Sequence, residues 1–189
     1  MMTAILKLND ESNNIIRRSE KLFENFADCL KPNGLFDITK LAYFFGFEIT
    51  EQKELPEFLN GVIIQDSEEK QLVVNDKASK NSKRYSIAYL LYYHGQESFD
   101  IKHLKSKEDS RASLMARLLL IPEAVLKTVY SDNNDDIKWL AGIFGVPCDV
   151  MKQRVEEISM KQKTEKNNKI RSSNFIKKFI PLNSKEQNK

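Results

Sequence analysis

Apolar residues recur at helical spacing near the start of the chain. Ile15, Ile16, Leu22, Phe23 and Phe26 form one stripe, which predicts a helix over Asn14–Leu30, and "KPNG" ends it. In "FDITKLAYFFGFEI", Asp37 is placed to cap a short helix that turns Leu41, Phe44 and Phe45 inward and stops at Gly46. A strand begins within Phe47–Ile49. Leu59–Gln65 and Gln71–Asn75 are β-branched runs separated by the charged turn "DSEEK", a hairpin signal. The polar stretch "DKASKNSK" reads as a connector. Helical patterns then cover Tyr85–His94, Arg111–Leu120, Pro122–Tyr130, Ile137–Phe144 and Cys148–Met160. This order predicts an α+β fold, mostly helical with a small antiparallel sheet. No internal repeat is visible.

The length of 189 residues suits one domain with a genuine core. No apolar run approaches the ~20 residues that cross a bilayer, and "MMTAILKLNDES" lacks the pattern of a secretory signal, so a cytoplasmic protein with no membrane partner is expected. Cys29 and Cys148 stand alone, without zinc or redox spacing, and are expected as two thiols. The net charge of +3 is unevenly placed: Lys161–Lys189 carries nine basic residues against two acids, which leaves −4 for the first 160. The tail, 161–189, fits a solvated flexible segment, although its charge also suits nucleic acid or an acidic partner. "FIKKFIP" spaces Phe175, Ile176, Phe179 and Ile180 helically around Lys177 and Lys178, as in a short docking helix.

Five blocks carry a resemblance by their order. They are "DITKLAYFFGFEI", the hairpin with "GVII" and "LVVN", the helix start "RYSIA", a helix ending "LLLIP", and "LAGIFGVPCDVMKQRV". Together, over roughly Asp37–Val155, they resemble the ImmA/IrrE family of gluzincin-type metallopeptidases. The resemblance implies a zincin-like core over 1–130, followed by a helical pair over 131–160. In that family the helix start runs directly into an H-E-x-x-H zinc motif. Aligned without a gap, the motif falls on Tyr89, Leu90, Leu91, Tyr92 and Tyr93. Tyrosine replaces both ligand histidines, and Leu90 replaces the general base.

The chemistry makes these replacements decisive. Two imidazoles four residues apart reach one zinc ion, and the neighbouring carboxylate takes a proton from the metal-bound water. A phenol keeps its proton near neutral pH, and leucine accepts none. His94 and His103 are the two histidines of the chain, and their separation forms no i, i+4 pair. Each is expected as a helix cap or a hydrogen-bonded surface group. The family's third ligand is an acid near the next helix, and Asp109 falls nearest that position, beside Glu108. Without a metal, Asp109 reads as a surface carboxylate or helix-start charge, the alternative being a site for a different cation. No phosphate-binding glycine motif is present, and no cofactor or metal is expected.

Ile137–Phe144, the turn "GVP" and Cys148–Ile158 have a helix-turn-helix pattern, with Val150, Met151 and Val155 inward. Lys152, Gln153 and Arg154 offer base-reading side chains, but Glu156 and Glu157 follow them. The resemblance implies a catalytically inactive pseudopeptidase that binds a protein, a helix-turn-helix repressor of a phage or mobile element. Its partner cleft would be lined by Tyr89, Leu90, Tyr93, His94 and Asp109, although Tyr89 and Tyr93 also read as filler for the space left by a metal. Two alternatives stand beside it: a DNA-binding regulator using the helical pair and the tail, with Lys177 and Lys178 as contacts, and a metallopeptidase with unusual ligands.

Overall fold

A computed structural model describes residues 2–53, 55–56, 61–65, 69–94, 109–130 and 136–179, with side chains described for all of these but 2–11, 65 and 165–179. The elements are α1 (Met2–Asn25), α2 (Ile38–Phe44), β1 (Glu48–Gln52), β2 (Gly61–Gln65), β3 (Lys70–Asn75), α3 (Lys80–Leu90), α4 (Ser110–Leu120), α5 (Glu123–Val129), α6 (Ile137–Phe144) and α7 (Cys148–Phe179). Short 3-10 turns follow α1 at Ala27–Cys29 and α3 at Leu91–Tyr93. The protein is α+β and mostly helical. No helix among the described residues is long and apolar enough to cross a membrane.

The first helix starts well before Asn14 and ends at Asn25, where Phe26 leaves the helical conformation at φ −123°. Its inward stripe differs from the predicted one: Ile15 is buried, Ile16 is exposed, and Ser19 takes an interior place by donating to the Ile16 carbonyl at 2.7 Å. Asp37 caps α2 as expected, accepting from the Lys40 N–H at 3.2 Å. Gly46 ends it at φ +81°, a conformation that costs little only without a Cβ. Leu41 is fully buried, but Phe44 is 63% exposed, so the inward face of α2 is narrower than its apolar pattern.

The predicted hairpin is present: β2 and β3 pair antiparallel, with Gly61 opposite Val74 and Gln65 opposite Lys70. The sheet is nevertheless mixed, because β1 pairs parallel to β3 in the order β1-β3-β2. Local pattern encodes a hairpin; it does not encode the direction in which a strand after a separate helix joins the sheet. Leu72, Val73, Val74 and Asn75 are all buried, so the central strand is covered on both faces and reads as a continuous apolar run.

The stretch 76–83 is less of a connector than its polarity implies. Ser79 caps α3, accepting from the Ser82 N–H at 3.1 Å, so the helix begins at Lys80. From there α3 packs on β2, β3, α2 and α4, and α1 packs on α4. Arg84 Nη2 donates to the Phe36 carbonyl at 2.9 Å, and its burial lowers the guanidinium pKa while Asp37 opposes the shift.

Two compact units divide the chain, Met1–Lys152 and Gln153–Lys189. The helix expected to stop near Met160 continues to Phe179, through residues read from composition as a flexible tail. Cys29 is buried and Cys148 exposed, and both are free thiols.

Leu90 and Gly61 fix the distance between α3 and the sheet. Leu90 is 1% exposed, and a Cβ added at Gly61 would meet its Cδ1 at 3.2 Å and the Val73 carbonyl oxygen at 2.9 Å. Leu90→Ala is expected to cost about 2–5 kcal/mol through the cavity it leaves, and Gly61→Ala about 1–3 kcal/mol through overpacking against backbone. Urea unfolding of both variants checks these values; a loss below about 0.5 kcal/mol for either would contradict this packing.

Candidate functional site

Tyr85, Tyr89 and Tyr93 follow one another at four-residue spacing, which places them on one side of α3 and its closing 3-10 turn. Their rings form a row, with centroids 6.3 Å apart for Tyr85–Tyr89 and 6.1 Å for Tyr89–Tyr93. All three hydroxyls reach the start of α4. Tyr85 Oη shares a hydrogen bond with Ser113 Oγ at 2.8 Å, and Ser113 Oγ also accepts from Arg117 Nη1 at 2.5 Å. Tyr89 Oη accepts from the Asp109 backbone N–H at 2.9 Å, and Tyr93 Oη donates to Asp109 Oδ2 at 3.2 Å.

Asp109 is the N-cap of α4. Its Oδ1 accepts from the Arg111 N–H at 2.9 Å and from Arg111 Nε at 3.1 Å, and its Oδ2 accepts from Arg111 Nη2 at 3.1 Å. With Tyr93 these bonds occupy most of the lone-pair capacity of a carboxylate. Burial pushes the Asp109 pKa up, but the hydrogen bonds and charge of Arg111, with the Tyr93 hydroxyl, outweigh it and hold the group below its ordinary value. Tyr93 moves the opposite way: burial first, then its hydrogen bond with Tyr89 and the Asp109 charge, raise its pKa far above the ordinary phenol range. The phenol therefore stays protonated, which is the form that donates to Asp109.

As a metal site this donor set fits poorly. It offers phenol hydroxyls and a carboxylate already engaged by a guanidinium, where zinc takes imidazole, thiolate or free carboxylate. Among the described residues no group of three or more His, Cys, Asp or Glu is placed to hold a metal ion. Leu90 lies in the core beside Gly61.

The expected site residues thus divide. Tyr89, Tyr93 and Asp109 come together, while Leu90 and His94 pack elsewhere. The His94 ring stacks on Phe45 at 4.3 Å and meets Phe47 edge-on at 5.6 Å, and its Nδ1 is buried without a hydrogen-bond partner among the described residues. Burial, then the charges of Lys70 and Arg18, lower its pKa. His94 is the C-cap of the 3-10 turn, as one of the two expectations had it, its N–H donating to the Leu91 carbonyl at 3.2 Å, while its ring packs against aromatics. His103 and Glu108 lie outside the described residues. Lys152 and Gln153 are exposed, but Arg154 is 6% exposed and pairs with Glu157 at 3.2 Å within α7, which withdraws it from base reading. Lys177 and Lys178 lie on the α7 backbone, with side chains outside the described set. Arg111 and Arg117 were not singled out in the sequence; the "DSR" spacing at a helix start was the available sign of the first.

No family model and no curated protein matches this chain. Among solved structures, the fold is similar to that of a Mycobacterium tuberculosis transcriptional regulator, with a TM-score of 0.52, 18% identity and 75% of this chain covered. The match spans 47% of that protein, so about half of its length has no counterpart here. At this identity the likeness is one of fold.

The shifts on Asp109 and His94 make acid destabilising in separate windows. Both folded pKa values lie below their unfolded ones, so the unfolded chain takes up protons first and stability falls as pH falls. His94 acts below its ordinary 6.5, and Asp109 below its ordinary 3.8. Stability measured against pH should therefore drop in two steps. His94→Phe should flatten the upper one, and Asp109→Asn, which keeps a capping oxygen but loses the carboxylate charge, should flatten the lower one, while Asp109→Ala should also cost about 0.5–2 kcal/mol at neutral pH through the lost cap. A pH profile unchanged by the first two substitutions would contradict these assignments.

Proposed function

We propose that this protein is a degenerate relative of the ImmA/IrrE metallopeptidases that binds a protein partner and regulates it without cutting it. The order of sequence blocks supports this reading. The observation that carries it is the seam between α3 and α4, where Tyr89 and Tyr93, at the positions that the resemblance gives to two metal ligands, engage Asp109, the acid nearest the third. Hydrogen bonds there take the place of coordination, and Leu90 leaves no carboxylate to activate water. Zincin-like architecture belongs to the same proposal. The fold shared with a transcriptional regulator fits a role in regulation, and the partner proposed is a helix-turn-helix repressor of a phage or mobile element. Tyrosine suits such contacts, since a rigid ring buries much area at small entropic cost.

A DNA-binding regulator is the second reading, favoured by the neighbour's description and by exposed Lys152 and Gln153. Direct binding to duplex DNA would fall steeply with salt, and removing the residues after Met160 would abolish it. For the preferred reading, tagged protein is used to recover partners from cells that carry the gene in its native setting. The expected result is an intact DNA-binding repressor in stoichiometric amount. Recovery of the repressor in cleaved form, with cleavage abolished by chelator, would overturn the proposal.

A further inference from the structure

A cavity of about 260 Å³ opens beside the α3–α4 seam. It is lined by Asn14, Ile15 and Arg18 of α1, Tyr92 of the 3-10 turn and Arg111 of α4. The lining is chemically one-sided. Two guanidiniums and an amide supply hydrogen-bond donors, no acidic side chain contributes among the described residues, and buried Ile15 and Tyr92 supply apolar wall.

The two arginines are in different states. Arg111 is committed to Asp109 through Nε and Nη2, which offsets its charge. Arg18 has no such partner: among the described residues no carboxylate lies within ion-pair distance of it. It donates one long bond of 3.4 Å from Nη2 to the His94 carbonyl, and its guanidinium carbon sits 5.4 Å from the Tyr92 ring centroid. Those contacts orient the group and leave most of its five N–H donors uncommitted. An oriented guanidinium at a cavity of donors is arranged for a planar pair of anionic oxygens.

We infer that this cavity is a receptor for a small monocarboxylate with a short apolar body. Arg18 binds the carboxylate as a fork, Asn14 adds an amide donor, and Ile15 and Tyr92 cover the apolar part. Charge selects the class: one uncompensated positive charge suits a monoanion better than a phosphate dianion. Volume sets the size, since at about 30 Å³ per water the space holds roughly eight waters and fits a compact organic acid. The inference is independent of the proposed partner and of any relation to peptidases.

The test titrates full-length protein with benzoate and, separately, with its neutral isostere benzamide, by calorimetry and by following the Arg18 Nε–H and Tyr92 ring resonances. Benzoate should saturate one site with about millimolar affinity, the range for so small a ligand, and shift both sets of resonances. Benzamide should bind at least about tenfold more weakly, because it lacks the charge-assisted bonds. Arg18→Gln should weaken benzoate by a similar factor, while Arg17→Gln, which removes the same charge from the neighbouring exposed position, should leave it unchanged. Non-saturable binding, equal affinity for benzamide, or equal loss in the two variants would overturn the site. Should Arg18→Gln fail to fold, the wild-type resonance shifts and the benzamide comparison decide alone.

Discussion

Tyr89 and Tyr93 meet at Asp109, and that meeting ties the end of α3 to the start of α4. One hydroxyl accepts from the Asp109 backbone N–H while the other donates to its carboxylate, so a single residue is held through both its main chain and its side chain. The same carboxylate caps α4 and grips Arg111. Helix initiation, helix–helix contact and local charge balance are thereby joined at one point. Each bond alone contributes about 0.5–1.5 kcal/mol, more where a charge takes part, but loss of Asp109 would break several together.

From this point the rest of the arrangement follows. With α3 fixed to α4 on one side, its other face brings Leu90 against Gly61, where a missing Cβ permits close approach to the sheet. The 3-10 turn at the end of α3 then carries Tyr92 to the wall of the Arg18 cavity and His94 onto Phe45. The tyrosine row is therefore a structural seam with a polar edge. On the proposed reading it stands where a peptidase would keep its metal, and the protein has exchanged coordination bonds for hydrogen bonds while keeping the helices in place.

Much of this was legible in sequence because it is locally encoded. The Asp37 cap, the Gly46 stop, the β2–β3 hairpin and the α6 boundaries each depend on a few neighbouring residues. The shared side of Tyr89 and Tyr93 is written in their four-residue spacing, whereas their meeting with Asp109 joins residues sixteen to twenty positions apart and is not. What escaped depends on tertiary context. The direction of β1, the outward turn of Phe44, the burial of Arg154 and the stacking of His94 are decided by which surfaces meet, and an apolar or basic residue type does not state that. The Arg18 cavity escaped for the same reason, since Arg18 and Arg111 are far apart in the chain and neither belongs to a motif.

On the proposed reading, α3 and α4 keep the frame of a zinc site whose ligands have been replaced. It is tested most directly by putting ligands back. Tyr89→His with Tyr93→His restores two imidazoles at i, i+4 facing Asp109, and their shorter side chains open room for an ion where the hydroxyls now meet. Zinc content measured after dialysis should rise from well below stoichiometric in the wild type to about one equivalent in the double variant, and adding Asp109→Asn should remove it. A folded double variant that holds no more zinc than the wild type would contradict the claim.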